Sequence, residues 1–284
     1  MLSLIRIKLF NDSIIHTSKA GAIFFSTCSF LQSLNQQANL DKMDIINKSK
    51  DKDITFFCFT PLVSLATFFI EFALALLVFL KYRQTLFNKI SIATLICLGL
   101  FQLSEYFICT TNYADFWIKV GYVAITFLPA FGVHLITAIT RKHDVLMVSG
   151  YLAALLFTAA IIFVPGINLQ TSCQPNYVAV AMENRFSIAH TSYYAFYVFA
   201  GLFLLWNGLR KGIGDSKEEK WLLIAYATFL IPSEGLALLR MISNSAVPSV
   251  MCGFAVLAAI ILVLVVIPRQ AQLESRKKKK SKRK

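Results

Sequence analysis

The sequence predicts an all-α, polytopic membrane protein with seven transmembrane helices, its N-terminus outside and its C-terminus cytoplasmic. Composition is the first observation. Of 284 residues, 57% are hydrophobic and only 15% charged, with a mean hydropathy of +0.63. Soluble domains average about 25% charged residues, and one this poor in charge would expose large apolar patches. The second observation is seven apolar stretches, each near the roughly 20 residues that a bilayer span needs. The third is an alternation of Lys and Arg between successive connections, which sets orientation.

The first stretch runs from about Phe56 to Leu80, the second from Ile90 to Thr110 and the third from Trp117 to Ile139. The fourth covers Val145–Val164, the fifth Ser187–Leu209, the sixth Trp221–Ile242 and the seventh Val247–Ile267. Connections one, three and five and the C-terminal tail carry 18 basic residues, beginning with Lys81, Arg83 and Lys89. Those on the other side carry one, Arg185, with Lys119 and Arg240 at span borders. Trp117, Trp206 and Trp221 fall near span ends, where amphipathic rings favour the interface.

The chain thus divides into an N-terminal segment or extracytoplasmic leader (1–55), a seven-helix bundle (56–267) and a basic cytoplasmic tail (268–284). Within the first segment, Ala20–Leu31 is an apolar run too short to span, and no A-x-A-like cleavage site follows it. Met43 offers an alternative translation start, which would make 1–42 a dispensable leader. The net charge of +13 would suit a nucleic-acid binder, but it is mostly tail: nine basic residues against one acid, Glu274, in 268–284. A run so dense in like charge does not fold by itself. It is expected to lie on anionic headgroups, at about 1 kcal/mol per basic residue, as a topology anchor or as a docking site for a partner. Nucleic acid is not an expected partner.

Charge at bilayer depth costs about 2.5–3.5 kcal/mol on insertion scales, so intramembrane ionisable groups mark functional candidates. Glu71 and His134 fall at similar depth in the inner half and are expected to form a polar pair. Glu105, Lys119, His190 and Glu234 fall near the outer side. Helical spacings of three, four and seven place Gln102, Glu105, Tyr106 and Cys109 on one stripe. Lys119, Tyr122, Thr126 and Pro129 share a second, and His190, Tyr194, Tyr197 and Gly201 a third. Turned inward, these stripes build an outward-opening pocket whose ligand-binding candidates are Glu105, Lys119, Tyr122, His190, Tyr194 and Glu234. The alternative is polar contacts that only join helices, worth about 0.6 kcal/mol on average. Glu105 with Lys119 is then an internal ion pair. Pro129 and Pro232 interrupt the third and sixth helices, as hinges or as tolerated bends.

The six cysteines form no C-x-x-C motif. Cys109, at the end of the second span, and Cys173, in the longest outer loop, are candidates for a disulfide pinning that loop over the bundle. Otherwise they are thiols packed as small hydrophobes. The seventh span has no lysine, which excludes retinal Schiff-base chemistry. The four histidines form neither H-E-x-x-H nor H-x-x-x-H, so no metal site is expected. With no P-loop, G-x-S-x-G or dinucleotide fingerprint, neither cofactor nor catalysis is expected.

One segment carries a resemblance. Asn88 enters a helix, Glu105–Tyr106 lie near its outer end, Trp117 starts the next helix, Pro129 interrupts it, and Arg141–Lys142 mark its cytoplasmic exit. The arrangement resembles the seven-helix N-terminal sensor region of bacterial histidine kinases. That resemblance implies an extracytoplasmic ligand-sensing bundle. In that family an output domain follows the seventh helix, whereas here 17 lysine-rich residues follow Ile267. The leading expectation is a sensory or receptor-like membrane module in the cell membrane, with a signalling partner protein supplying the output. The alternatives are a small transporter or permease using Glu71, Glu105 or Glu234, and a membrane accessory or assembly protein.

Overall fold

The computed structural model describes residues 61–140, 144–165, 167, 169–173, 177–182, 184–211, 216–239 and 246–281. The leader and Met43, the first residues of the first stretch (56–60), the Arg141–Lys142 exit and Arg240 lie outside the described residues. Seven described helices are long and apolar enough to cross a membrane.

Helix α1 spans Pro61–Lys81, and proline is at home in a first turn, where its missing N–H leaves nothing unpaired. Its last carbonyls are taken up by Gln84, whose amide donates to Phe79 O (2.9 Å) and Tyr82 O (3.1 Å). Helix α2, Leu86–Thr110, starts on the N-cap Thr85, whose hydroxyl accepts from the Asn88 N–H. The Asn88 side chain donates back to Arg83 O (2.8 Å), closing the tight turn between the two helices. Helix α3 covers Ala114–Thr140 and α4 covers Asp144–Phe163, with Asp144 at its positive end.

A β-hairpin follows, which the sequence reading did not foresee. Strand β1, Gln170–Cys173, pairs antiparallel with β2, Val178–Ala181, in the register Gln170↔Ala181 to Cys173↔Val178. Val178 and Val180 are buried while Ala181 is exposed, the alternation of a strand with one covered face. With Ile167 and Leu169 they pack on Ile108, Ile118, Tyr122 and Ile125. The hairpin therefore closes the end of the bundle where α2 stops and α3 begins. A disulfide between Cys109 and Cys173 ties it to α2, and the Val178 N–H donates to the Ser249 hydroxyl (3.4 Å).

Helix α5 spans Asn184–Lys211 and α6 Ser216–Leu238. Helix α6 begins five residues earlier than its apolar stretch because Glu218 and Glu219 suit the positive end of a helix. Glu219 is fully buried, its carboxylate against Gly208 of α5. Helix α7, Val247–Ile261, runs into one π-helical turn, Leu262–Val266, and then into α8, Ile267–Ser281. Proline clashes with the carbonyl four residues before it, and for Pro268 that is Leu264. The wide turn lies where it relieves the clash. Residues 267–281 continue as helix, so this part of the tail is ordered as an extension of α7 rather than by itself. A like-charged segment does not nucleate a helix alone, but elongating an existing one is far easier than nucleation.

Helices adjacent in sequence pack together, and α7 closes the bundle against α1 and α2. The backbones approach where small residues meet. A side chain on Gly121 of α3 would collide with the Ser104 hydroxyl of α2. Mid-helix prolines are accommodated by hydroxyl donors. Tyr193 donates to Thr126 O (2.8 Å) in the turn before Pro129, and Ser233, beside Pro232, donates to Phe229 O. Large apolar side chains such as Phe72, Leu156, Phe163 and Phe203 cover the outside.

Candidate functional site

Three features bear on function: a polar ladder between α1 and α2, an aromatic layer around His190, and a cavity at the bundle centre.

The ladder follows from helical spacing. Ser64, Thr67 and Glu71 share one face of α1, and Gly99, Gln102 and Glu105 one face of α2. The helices run antiparallel, so Ser64 meets Glu105, donating to its carboxylate (3.2 Å), while Glu71 packs against Gly99. Thr67 and Gln102 lie on the turns between. Helix α7 covers the ladder with Ser249, a hydrogen-bonding neighbour of Glu105, and with Cys252, a neighbour of both acids. Glu71 is wholly buried and Glu105 is 3% exposed. Among the described residues no group hydrogen-bonds to either Glu71 oxygen, to Glu105 Oε1 or to the Gln102 amide nitrogen.

The aromatic layer explains His190. Its Nε2 lies 3.0 Å from the Thr126 hydroxyl, and the rings of Phe157, Phe186, Tyr122 and Tyr193 surround it. A histidine so enclosed, already paired with a hydroxyl, is a packing element between α3, α4 and α5.

The cavity has a volume of about 90 Å³. Its walls come from five helices: Thr94 and Leu98 of α2, Pro129 and Gly132 of α3, Tyr194 of α5, Tyr226 of α6 and Cys252 and Ala255 of α7. The walls are mostly apolar, with tyrosine hydroxyls and one thiol as polar points. Gly132 is required where it stands, because a Cβ there would collide with the Tyr226 hydroxyl. An apolar cavity of about 150 Å³ admits benzene, so this one takes a smaller group, or a larger one once the helices part. Cys252 lines the cavity and lies within electrostatic reach of the acidic ladder.

Four corrections to the sequence expectations follow. Glu71 and His134 do not meet: His134 Nδ1 is 2.8 Å from the Tyr151 hydroxyl of α4, while Glu71 turns to α2. Glu105 and Lys119 do not pair, since Lys119 is exposed in the first turns of α3 and Glu105 is buried on the α1 side. Glu234 is also exposed, one residue from the buried Ser233. Among the described residues, the cavity does not gather the six candidates. The hairpin covers the end where α2 stops, Tyr194 reaches the cavity, and Glu105, Tyr122 and His190 sit in the packed layers around it. Sequence reasoning missed the cavity walls of small residues, Gly132, Ala255 and Ala258. Small residues recurring on α7 (Gly253, Ala255, Ala258, Ala259) were the available signal. It marks close packing as readily as a cavity. Among the described residues no cluster of three or more His, Cys, Asp or Glu is placed to hold a metal ion.

No protein-family model matches the chain, and no curated protein matches it.

Proposed function

We propose that the chain is a multi-pass protein of the cell membrane whose seven-helix bundle binds a small, mainly apolar ligand in its central cavity. It then acts as a receptor-like module on a partner protein and performs no catalytic step itself. The observation that carries this reading is the cavity, bounded by five helices and lined by Pro129. Binding there changes contacts on five elements at once, as a signal-transmitting site requires. The apolar outer surface supports bilayer placement. The alternation of basic residues supports an outside hairpin and a cytoplasmic α8, whose tail meets anionic lipid.

Ethanol, 2-propanol and acetone are suitable probes, each smaller than benzene and pairing a small apolar body with one polar group. Unfolding is read by a thiol-reactive dye that reports exposure of the buried Cys252. At least one probe is expected to raise the melting temperature of the wild type. Ala255→Phe, which fills the cavity, is expected to abolish that shift. Absence of any shift, or an equal shift in the filled variant, overturns the reading.

A further inference from the structure

We propose that Glu71 and Glu105, with Gln102 between them, form a binding site for one monovalent cation, a proton or Na⁺, enclosed between α1, α2 and α7. This goes beyond the ligand reading and holds whether or not the cavity takes a ligand.

The first observation is burial without partners. Glu71 is 0% exposed, and among the described residues neither of its oxygens has a hydrogen-bond donor. Gln102 is 1% exposed, with its amide nitrogen likewise unpaired. An uncompensated buried charge costs several kcal/mol, so the protein fold alone does not account for a carboxylate there. The second is that two acids share the place. Glu105 lies near enough to Glu71 for their charges to interact, and two adjacent carboxylates in a water-poor site do not both stay ionised and unaccompanied. One added positive charge resolves both.

The donor set decides which cation. Ser64 on α1 and Ser249 on α7 hydrogen-bond to Glu105, Gln102 lies on the same face of α2, and Tyr122 on α3 and Cys252 on α7 are within electrostatic reach. Lys81, Lys89 and Lys119, the basic residues of α1, α2 and α3, are all exposed, so none supplies the balancing charge. Carboxylate, amide and hydroxyl oxygens are hard ligands, and two acids suit a single charge. A proton and Na⁺ meet the same requirement.

The site is also connected. Ser249 joins Glu105 to the hairpin through the Val178 N–H (3.4 Å), and Cys252 of the cavity wall lies within electrostatic reach of both acids. Loading the site therefore alters contacts of the outer lid and of the cavity together.

The full chain in phosphatidylcholine–phosphatidylglycerol nanodiscs, followed by infrared difference spectroscopy across pH, tests this. The wild type is expected to show the C=O band of a buried protonated carboxyl that titrates away at alkaline pH. The Glu71→Gln,Glu105→Gln double variant is expected to lose the part of it due to this site, Glu219 being a further fully buried acid. Should the double variant fail to fold, the single variants Glu71→Gln and Glu105→Gln serve, since removing the acid that holds the proton must diminish or shift the band. Exchange of choline for Na⁺ at constant ionic strength separates the sources. Sodium that diminishes the band binds the same site, and a band indifferent to sodium makes the proton the ligand. A wild type with neither a buried-carboxyl band nor a sodium response overturns the proposal, as does a band that is undiminished in the double variant.

Discussion

Replacing Gly121 by leucine should prevent the bundle from assembling, or lower its melting temperature further than any other single substitution in the α2–α3 seam. These two helices share one of the most extensive contacts in the molecule. Their spacing is set where Gly121 meets Ser104, with the Phe101 ring also alongside. Between helices in lipid, association depends on close packing of small residues rather than on a hydrophobic drive. Overpacking typically costs about 1–3 kcal/mol, and a leucine pressing on the short Ser104 side chain and the Phe101 ring should reach or exceed the top of that range. Gly235→Ala is the matched control. A Cβ at Gly235 meets nothing within 4 Å, and alanine improves helix propensity by up to about 1 kcal/mol. It should leave melting unchanged or slightly raised, whereas equal effects of the two substitutions would mean that the seam does not set helix spacing.

Breaking the Cys109–Cys173 bridge should be the next largest effect. The bond closes a loop of 64 residues in sequence separation and holds the hairpin over the bundle end. Loss of such a cross-link costs about 2–4 kcal/mol, mainly through the freedom returned to the unfolded chain. Cys173→Ser and reduction of the wild type by dithiothreitol should lower the melting temperature equally, and reduction should not affect the variant further. The hairpin keeps little else: two four-residue strands, the apolar contacts beneath them and the Val178–Ser249 hydrogen bond. Limited proteolysis between 165 and 183 should therefore quicken sharply in both cases. Unchanged melting and cleavage would show that packing alone secures the hairpin.

The spans were legible in the sequence because an apolar run of span length needs no knowledge of its neighbours. The described helix ends fall within about five residues of the expected ones, except that the first expected start lies outside the described residues and the last helix runs on to Ser281. Faces were harder. Periodicity groups Lys119 with Tyr122, Thr126 and Pro129, and three of those four are indeed buried. Lys119 escapes because it sits at the helix end, where the bundle no longer covers the stripe. Neighbours were harder still. Depth alone set Glu71 level with His134, but depth carries no information about which helices touch. Helix α1 packs on α2 and α7, while His134 of α3 faces α4. The hairpin escaped because its four-residue strands, polar Gln-Thr-Ser-Cys and apolar Val-Ala-Val-Ala, show almost no alternation of polarity within either. The cavity escaped because it is made of what small side chains leave out.

Placement of the seven helices across the bilayer, on which every functional statement above depends, is tested most directly by cysteine accessibility. Gln170→Cys on the hairpin and Ser275→Cys on α8 are both at exposed positions. They are introduced singly, with Cys28, Cys58, Cys97 and Cys252 replaced by alanine and the disulfide retained. An impermeant maleimide applied to intact cells should label the hairpin cysteine and spare the α8 cysteine, which should label only after permeabilisation. Labelling of both from outside, or of the α8 cysteine alone, would contradict an odd number of crossings with the hairpin outside.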